Sequence, residues 1–259
     1  MRRISTEELI LSVFALLLAG VSPNIFPAAQ AGLAPMPTLG LWLLIPSVLL
    51  LGIVAGVTAW RGHRRLYNRI LVGAVAGFVA TFGLEAVRAT SFHVFEGMPG
   101  DLPRLLGVLL TDRFMLGPSL LSDVVGWTYH FWNGAAFGII FAVLFGRGSI
   151  MGALVYGQLI GIGFLLSPAV TSLGIGSMGL EMPSMPITVL LAHLAYGLLL
   201  GALCHKWVRE SGWLLGSRTL ALPLDALSPG TTTQPALKPP LPSRVRETAA
   251  HRAEWPSAS

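Results

Sequence analysis

The sequence predicts an all-α fold, a polytopic transmembrane helical bundle of about six helices with a four-helix core built from a parallel two-helix repeat. Three observations predict it. Only 11% of the 259 residues are charged and 53% are hydrophobic, whereas a soluble domain carries roughly 25% charged residues. Apolar runs of roughly 20 residues follow one another along the chain, the length a helix needs to cross hydrocarbon. The 30 glycines fall largely inside those runs, where small residues let membrane helices approach closely. The mean hydropathy of +0.70 agrees.

Taken in order, the first run spans Glu8 to about Ala29 and is interrupted by Pro23 and Pro27. It reads either as a first membrane helix with a loosened end or as a signal peptide with Ala29-Gln30-Ala31 as its cleavage site. The long gap between apolar core and cleavage site favours the helix. The second run, Leu39 to Trp60, carries Pro46 and with it an expected kink. A cationic loop follows, from Arg61 to Arg69. The third run, Ile70 to Val87, holds Gly73, Gly77 and Gly83 and closes on Glu85 and Arg88. In the connection from Ala89 to Ser119, the amphipathic segment Leu102 to Phe114 predicts a short interfacial helix. The fourth run, Leu120 to Phe145, ends at the turn Gly146-Arg147-Gly148. The fifth, Ile150 to Val170, is glycine-rich, and the sixth runs from Ile187 to Cys204.

Three regions result: residues 1–68, two N-terminal helices and the cationic loop; 69–209, the four-helix core; and 210–259, a proline-, serine- and threonine-rich tail expected to be disordered. Lys and Arg gather in alternate connections, at Arg2, Arg3, Arg61, Arg64, Arg65, Arg69, Arg147, Lys206, Arg209 and the tail. The opposite connections hold only Arg88, Arg104 and Arg113. Cationic loops stay in the cytoplasm, which predicts both termini inside. The net charge of +5 is thereby a signature of insertion into a lipid bilayer, and nucleic acid is not an expected partner. The single cysteine, Cys204, excludes an intrachain disulfide or a cysteine-cluster metal site and reads as a packed thiol.

The most distinctive pattern is H-x3-G-x3-G, present as His130, Gly134, Gly138 and again as His193, Gly197, Gly201. Residues four apart share a helix face, so each run carries a stripe of one imidazole and two glycines. Each stripe follows a glycine-bearing run and an outer loop containing Glu and Met-Pro, at Glu96-Gly97-Met98-Pro99 and Glu181-Met182-Pro183. Two helices per unit return the chain to its starting side, so the units share one orientation and imply a pseudo-twofold axis along the membrane normal. His130 and His193 are then expected at comparable depth, facing a shared axis.

The residues Gly126-Trp127, His130, Gly134, Gly138, Gly152, His193, Tyr196, Gly197 and Gly201 resemble a pattern in a family of bacterial and archaeal inner-membrane proteins of unknown function, and more distantly YagU-like proteins linked to acid resistance. The resemblance covers about Arg69 to His205 and implies a fold and an inner-membrane location. It implies no activity.

A histidine within a membrane helix is costly without a partner and marks a candidate site. The plainest reading is a hydrogen bond across the bundle, to Tyr129, Asn133, Tyr196 or a carbonyl. A second is bis-histidine haem b ligation, with His130 and His193 as axial ligands and Gly134 and Gly197 admitting the flat macrocycle. A third is Cu(I) handling by Met178, Met182 and Met185 with His93 in the equivalent loop, since thioether and imidazole suit that ion; against it, methionines fill apolar edges. A fourth is proton or small-solute passage along Glu85, Asp123, His130, Asn133, Gln158 and His193. In that set Glu85 also reads as an i,i+3 ion pair with Arg88, and Asp123 as a charge at a helix N-terminus. No nucleophile with a matched base and no phosphate-binding loop is evident, so an enzyme is not expected. Glycine faces on the third and fifth runs would suit a homodimer or another membrane partner.

Overall fold

The computed structural model describes residues 4–210 and 212. Its helices are α1 (Thr6–Gln30), α2 (Met36–Leu39), α3 (Ile45–Trp60), α4 (Arg64–Phe95), α5 (Leu102–Leu110), α6 (Leu120–Phe145), α7 (Ile150–Leu165), α8 (Pro168–Thr171) and α9 (Ser184–Trp207). Five helical stretches are long and apolar enough to cross a membrane: α1, Met36–Trp60, α4, α6 and α9. Their outward surfaces expose large apolar side chains, Leu17, Trp42, Leu49, Phe82 and Leu121 among them. In water such a surface would aggregate; against lipid tails it costs nothing, so the chain is a multi-pass membrane protein.

Helix α4 is the centre of the bundle, packed against both α6 and α9, while α7 packs on α9. Helices α1 and α5 cover α6, and α3 rests on α1 and α4.

The close packing of α4 on α6 follows from their stripes. A Cβ at Gly77 would strike Gly134 O and lie 2.9 Å from Gly138 Cα, and one at Gly73 would lie 2.6 Å from Gly138 O. The backbones touch because no side chain separates them. The same device joins α7 to α9, where Gly157 meets His193 O and a Cβ on Gly197 would come within 2.6 Å of Ala153 O.

Several boundaries differ from the sequence expectations for identifiable reasons. Helix α1 is continuous through Pro23 and Pro27, with Asn24 Nδ2 donating to Gly20 O. Pro46 is absorbed by a π-turn at Gly40–Leu44, in which Ile45 N–H donates to Gly40 O. Shifting to i→i+5 bonding accommodates the proline without a break. Helix α4 starts inside the expected cationic loop and runs to Phe95, ending where Glu96 adopts the left-handed conformation (φ 51°). Helix α7 stops at Leu165 rather than near Val170. Pro168 forces the preceding Ser167 into extended backbone (ψ 155°), which a helix cannot continue through. At 16 residues, α7 is roughly 24 Å long, and it is followed by α8 and a 3₁₀ turn at Ser177–Gly179. The short helix expected over Leu102 to Phe114 is α5, which ends at Leu110, with Asp101 preceding it and Pro103 in its first turn. The proline-rich tail lies outside the described residues except for Glu210 and Gly212.

Candidate functional site: a cavity behind the histidine stripes

A cavity of about 530 Å³ lies within the bundle, walled by α1, α4, α5, α6, α7 and α9. His130 and His193 both form part of its wall, together with Gly134, Asn133, Tyr156 and Tyr196. The remaining wall is mainly apolar, including Phe26, Leu84, Leu106, Phe137, Ile160 and Phe164. Helix α1 therefore does more than pack against the core, because Pro23 to Pro27 supply one side of the space.

The polar end of the cavity is an ion-pair network. On α4, the glycine stripe at Gly73 and Gly77 continues at the same four-residue spacing to Thr81 and Glu85. On α6 the antiparallel stripe runs Gly138, Gly134, His130. The rungs meet in register: Gly77 on Gly134, Thr81 on Gly134, and Glu85 on His130. Glu85 Oε1 lies 2.8 Å from His130 Nε2, an ion pair when the ring is protonated. Arg88, one turn beyond, donates Nε to both oxygens of Glu85 at 2.8 and 3.0 Å and Nη2 to Oε2 at 2.7 Å. The i,i+3 pair read from sequence is thus real, but it sits inside the bundle: Glu85 is 7% exposed and Arg88 4%. Asp101 pairs with Arg88 Nη2 at 3.1 Å, and Arg104 bridges Asp101 and Asp123 at 3.9 and 3.6 Å.

The α7–α9 stripes differ at the corresponding rung. His193 packs its ring on Gly161, where an added Cβ would lie 3.1 Å from Cγ. The position one turn further on α7, matching Glu85, is Leu165. With no acid opposite, His193 turns its Nδ1 back to Val189 O at 2.7 Å. A carbonyl only accepts, so a neutral ring carries its proton on Nδ1 and leaves Nε2 as a lone pair without a described partner.

Two tyrosines close the other end. Tyr196 donates its hydroxyl to Gly134 O at 2.7 Å and Tyr156 to Phe137 O at 2.9 Å. Beyond them Ala76, Phe141, Ala142, Ala153, Leu200 and Cys204 form a closely packed cluster. Cys204 is buried there as a free thiol. Asn133 is held by Ser22 Oγ at 2.5 Å, and Tyr129 donates to Ser22 O at 2.8 Å, fixing α1 to α6.

The two histidines expected as haem ligands line one cavity, while the glycines expected to admit the macrocycle face neighbouring helices. His130 directs its Nε2 at Glu85, and His193 its Nδ1 at Val189 O. Gly134, expected to admit a macrocycle, is filled against Gly77 and Thr81, and Gly197 against Ala153. Of the residues expected to hold Cu(I), the three methionines share one apolar cluster and His93 stands apart from it. Met185 is fully buried, and Met178 and Met182 pack with it against Met98, Leu165 and Val170. Met185 Sδ faces Gly179, while His93 is exposed on α4 beside Phe92. Among the described residues no group of three or more His, Cys, Asp or Glu side chains is arranged to hold a metal ion. Gln158 donates to Leu190 O at 2.9 Å and serves to tie α7 to α9.

Glu85, Arg88 and Asp101 are the members of the site that motif reading placed at the interface or left in a loop. The signal that finds them is the continuation of the Gly73-Gly77 spacing to residue 85. Compared with protein-family models, curated proteins and solved structures, the chain matches none.

Proposed function

We propose that this chain is an integral membrane protein whose two stripe histidines wall a single binding cavity for a lipid-soluble small molecule. The observation that carries the reading is the cavity itself: about 530 Å³, apolar along its length, with a charged network at one end and a packed cluster at the other. That shape, a concave apolar space with a few convergent polar groups, is the usual form of a small-molecule site. The intramembrane Glu85–His130–Arg88 set is the kind of ionisable cluster retained for function in membrane helices. Passage across the bilayer is less well supported, because beyond Tyr156 and Tyr196 the bundle is filled by alanine, phenylalanine and leucine.

The two stripes read as equivalent halves of a repeat, with the acidic rung kept only in the first. Arg61, Arg64, Arg65, Arg147, Lys206 and Arg209 belong to helix ends on one side of the bundle, which supports an orientation with that side in the cytoplasm of a cell bounded by an inner membrane. The cavity would then open toward the outer half of the bilayer.

The test is saturable binding of an environment-sensitive apolar dye to the protein in nanodiscs. Ala192, 2% exposed, lines the cavity, so Ala192→Phe should abolish saturable binding while thermal unfolding shows the bundle intact. Equal binding by both proteins would remove the proposal.

A further inference from the structure

We infer that the cavity is entered sideways from the bilayer, through a mouth between α1 and α7, and that it holds the hydrocarbon tail of a membrane lipid whose head group stays outside. The inference rests on the binding-cavity reading and adds the ligand's chemistry and its route.

Helices α1 and α7 both wall the cavity but share no packed interface; α7 is held by α9, and α1 by α6 and α3. The gap between them is closed at one end by α8, which packs on α1 with Ala169 against Ile25 and Phe26. At the other end Tyr156 crosses from α7 to α6. Its hydroxyl donates to Phe137 O at 2.9 Å, and its ring lies 5.3 Å from that of Phe141. Between these closures the cavity-lining residues Asn24, Leu159 and Gly163 are exposed, Leu159 by 62%. They form a rim where the cavity reaches the surface. A Cβ on Gly163 would meet nothing within 4 Å.

That surface faces hydrocarbon. Neither α1 beyond Glu8 nor α7 carries a charged residue, and Ile162 and Leu166 continue the exposed apolar face of α7 beside Gly163. An apolar space open to lipid tails is filled by them. Left empty it forfeits dispersion contacts, and water within it would lack partners. At about 530 Å³ the space is of ligand size. The charged end decides against a head group inside. Arg88 Nη1 and His130 Nε2 are sealed within the protein, and the Glu85 oxygens are taken by Arg88 and His130. These charges are spent on one another, so a charged head drawn inside would lose its water without gaining a partner. A hydrocarbon tail only exchanges one apolar surrounding for another, a wall that includes Phe26, Leu84, Phe137 and Ile160.

The experiment uses nanodiscs containing a phosphatidylcholine with a diazirine midway along one acyl chain, its adducts mapped by mass spectrometry. In the wild-type protein adducts are expected at the cavity-lining Phe137 and Ala192 as well as at Leu17 on the outer surface. Gly163→Trp and Asn24→Trp place a bulky ring on opposite sides of the mouth, and each should lose the inner adducts while keeping those at Leu17. Gly52→Trp on α3, where an added Cβ also meets nothing within 4 Å, should label as the wild type does. Thermal unfolding identifies which variants are folded. Wild-type labelling confined to the outer surface, or inner adducts retained in every folded mouth variant, overturns the inference; if the apolar dye still binds saturably, the cavity reading stands. If the dye does not bind saturably to the wild-type protein, the cavity reading itself fails. The wild-type adducts decide the question of the tail even if neither mouth variant folds.

Discussion

Glu85 on α4 and His130 on α6 face each other at 2.8 Å inside the bundle, on the rung that follows two glycine contacts of the same pair of helices. The pairing ties the packing surface to the candidate site. The glycines set the distance between helix axes, and that distance lets a carboxylate and an imidazole meet without water between them. Arg88 then pairs with Glu85 and Asp101 at once.

The order of losses within this network is predictable. Arg88→Ala leaves two carboxylates without their cation and should cost about 3–5 kcal/mol, the usual penalty for breaking a buried pair. Glu85→Gln leaves Arg88 its contact with Asp101 and should cost less. Unfolding in mild detergent, followed by circular dichroism, measures both; equal losses would show that Asp101 does not share the arginine.

Glycine substitutions should divide by helix face. A Cβ at Gly77 meets the backbone of α6, so Gly77→Ala should destabilise by about 1–3 kcal/mol through overpacking. Gly56 has nothing within 4 Å of its added Cβ, and Gly56→Ala should be neutral or stabilising by up to about 1 kcal/mol from helix propensity alone. Matched unfolding curves for the two variants check the contrast.

At the opposite end of α4, Arg69 is 2% exposed and donates to Val143 O at 3.0 Å and Gly212 O at 2.8 Å. Asn68 Oδ1 accepts from Arg209 N at 3.0 Å, and Arg147 Nε donates to Val208 O at 3.0 Å. These contacts hold the chain after α9 against the bundle. Asn68→Ala should speed hydrogen exchange at the Arg209 amide while leaving α9 amides protected, as read by mass spectrometry.

Cys204 is buried and should resist a membrane-impermeant maleimide. Introduced cysteines at exposed Arg61 and Gly100 lie at opposite ends of the bundle. In intact cells Gly100→Cys should be labelled and Arg61→Cys only after permeabilisation. The reverse pattern would invert the proposed orientation.

Much of the architecture is legible in the amino-acid sequence, because lipid imposes simple length and composition rules on each helix. The glycine stripes at Gly134 and Gly197 marked close helix contact, and contact is what they make. At both positions the gap left in one helix is filled by the next. The meeting of Glu85 with His130 was not evident from the motif, as the partners are far apart in sequence and their register depends on where α4 crosses α6. The end of α7 at Leu165 was readable from Pro168, but apolar residues continue past it and outweigh one proline in a hydropathy reading. The methionines at 178, 182 and 185 do gather, but against Met98, Leu165 and Val170 in the core rather than toward His93.

The measurement that tests the central claim most directly is photo-crosslinking with an apolar diazirine probe in nanodiscs, mapped by mass spectrometry with and without excess unlabelled competitor. If His130 and His193 wall one ligand cavity, the competable adducts fall together on cavity-lining segments of α6, α7 and α9, near Phe137, Ile160 and Ala192, and adducts at Leu17 and Trp42 on the outer surface do not compete. Competable labelling confined to the outer surface, or its absence from the segments carrying both histidines, would contradict the account.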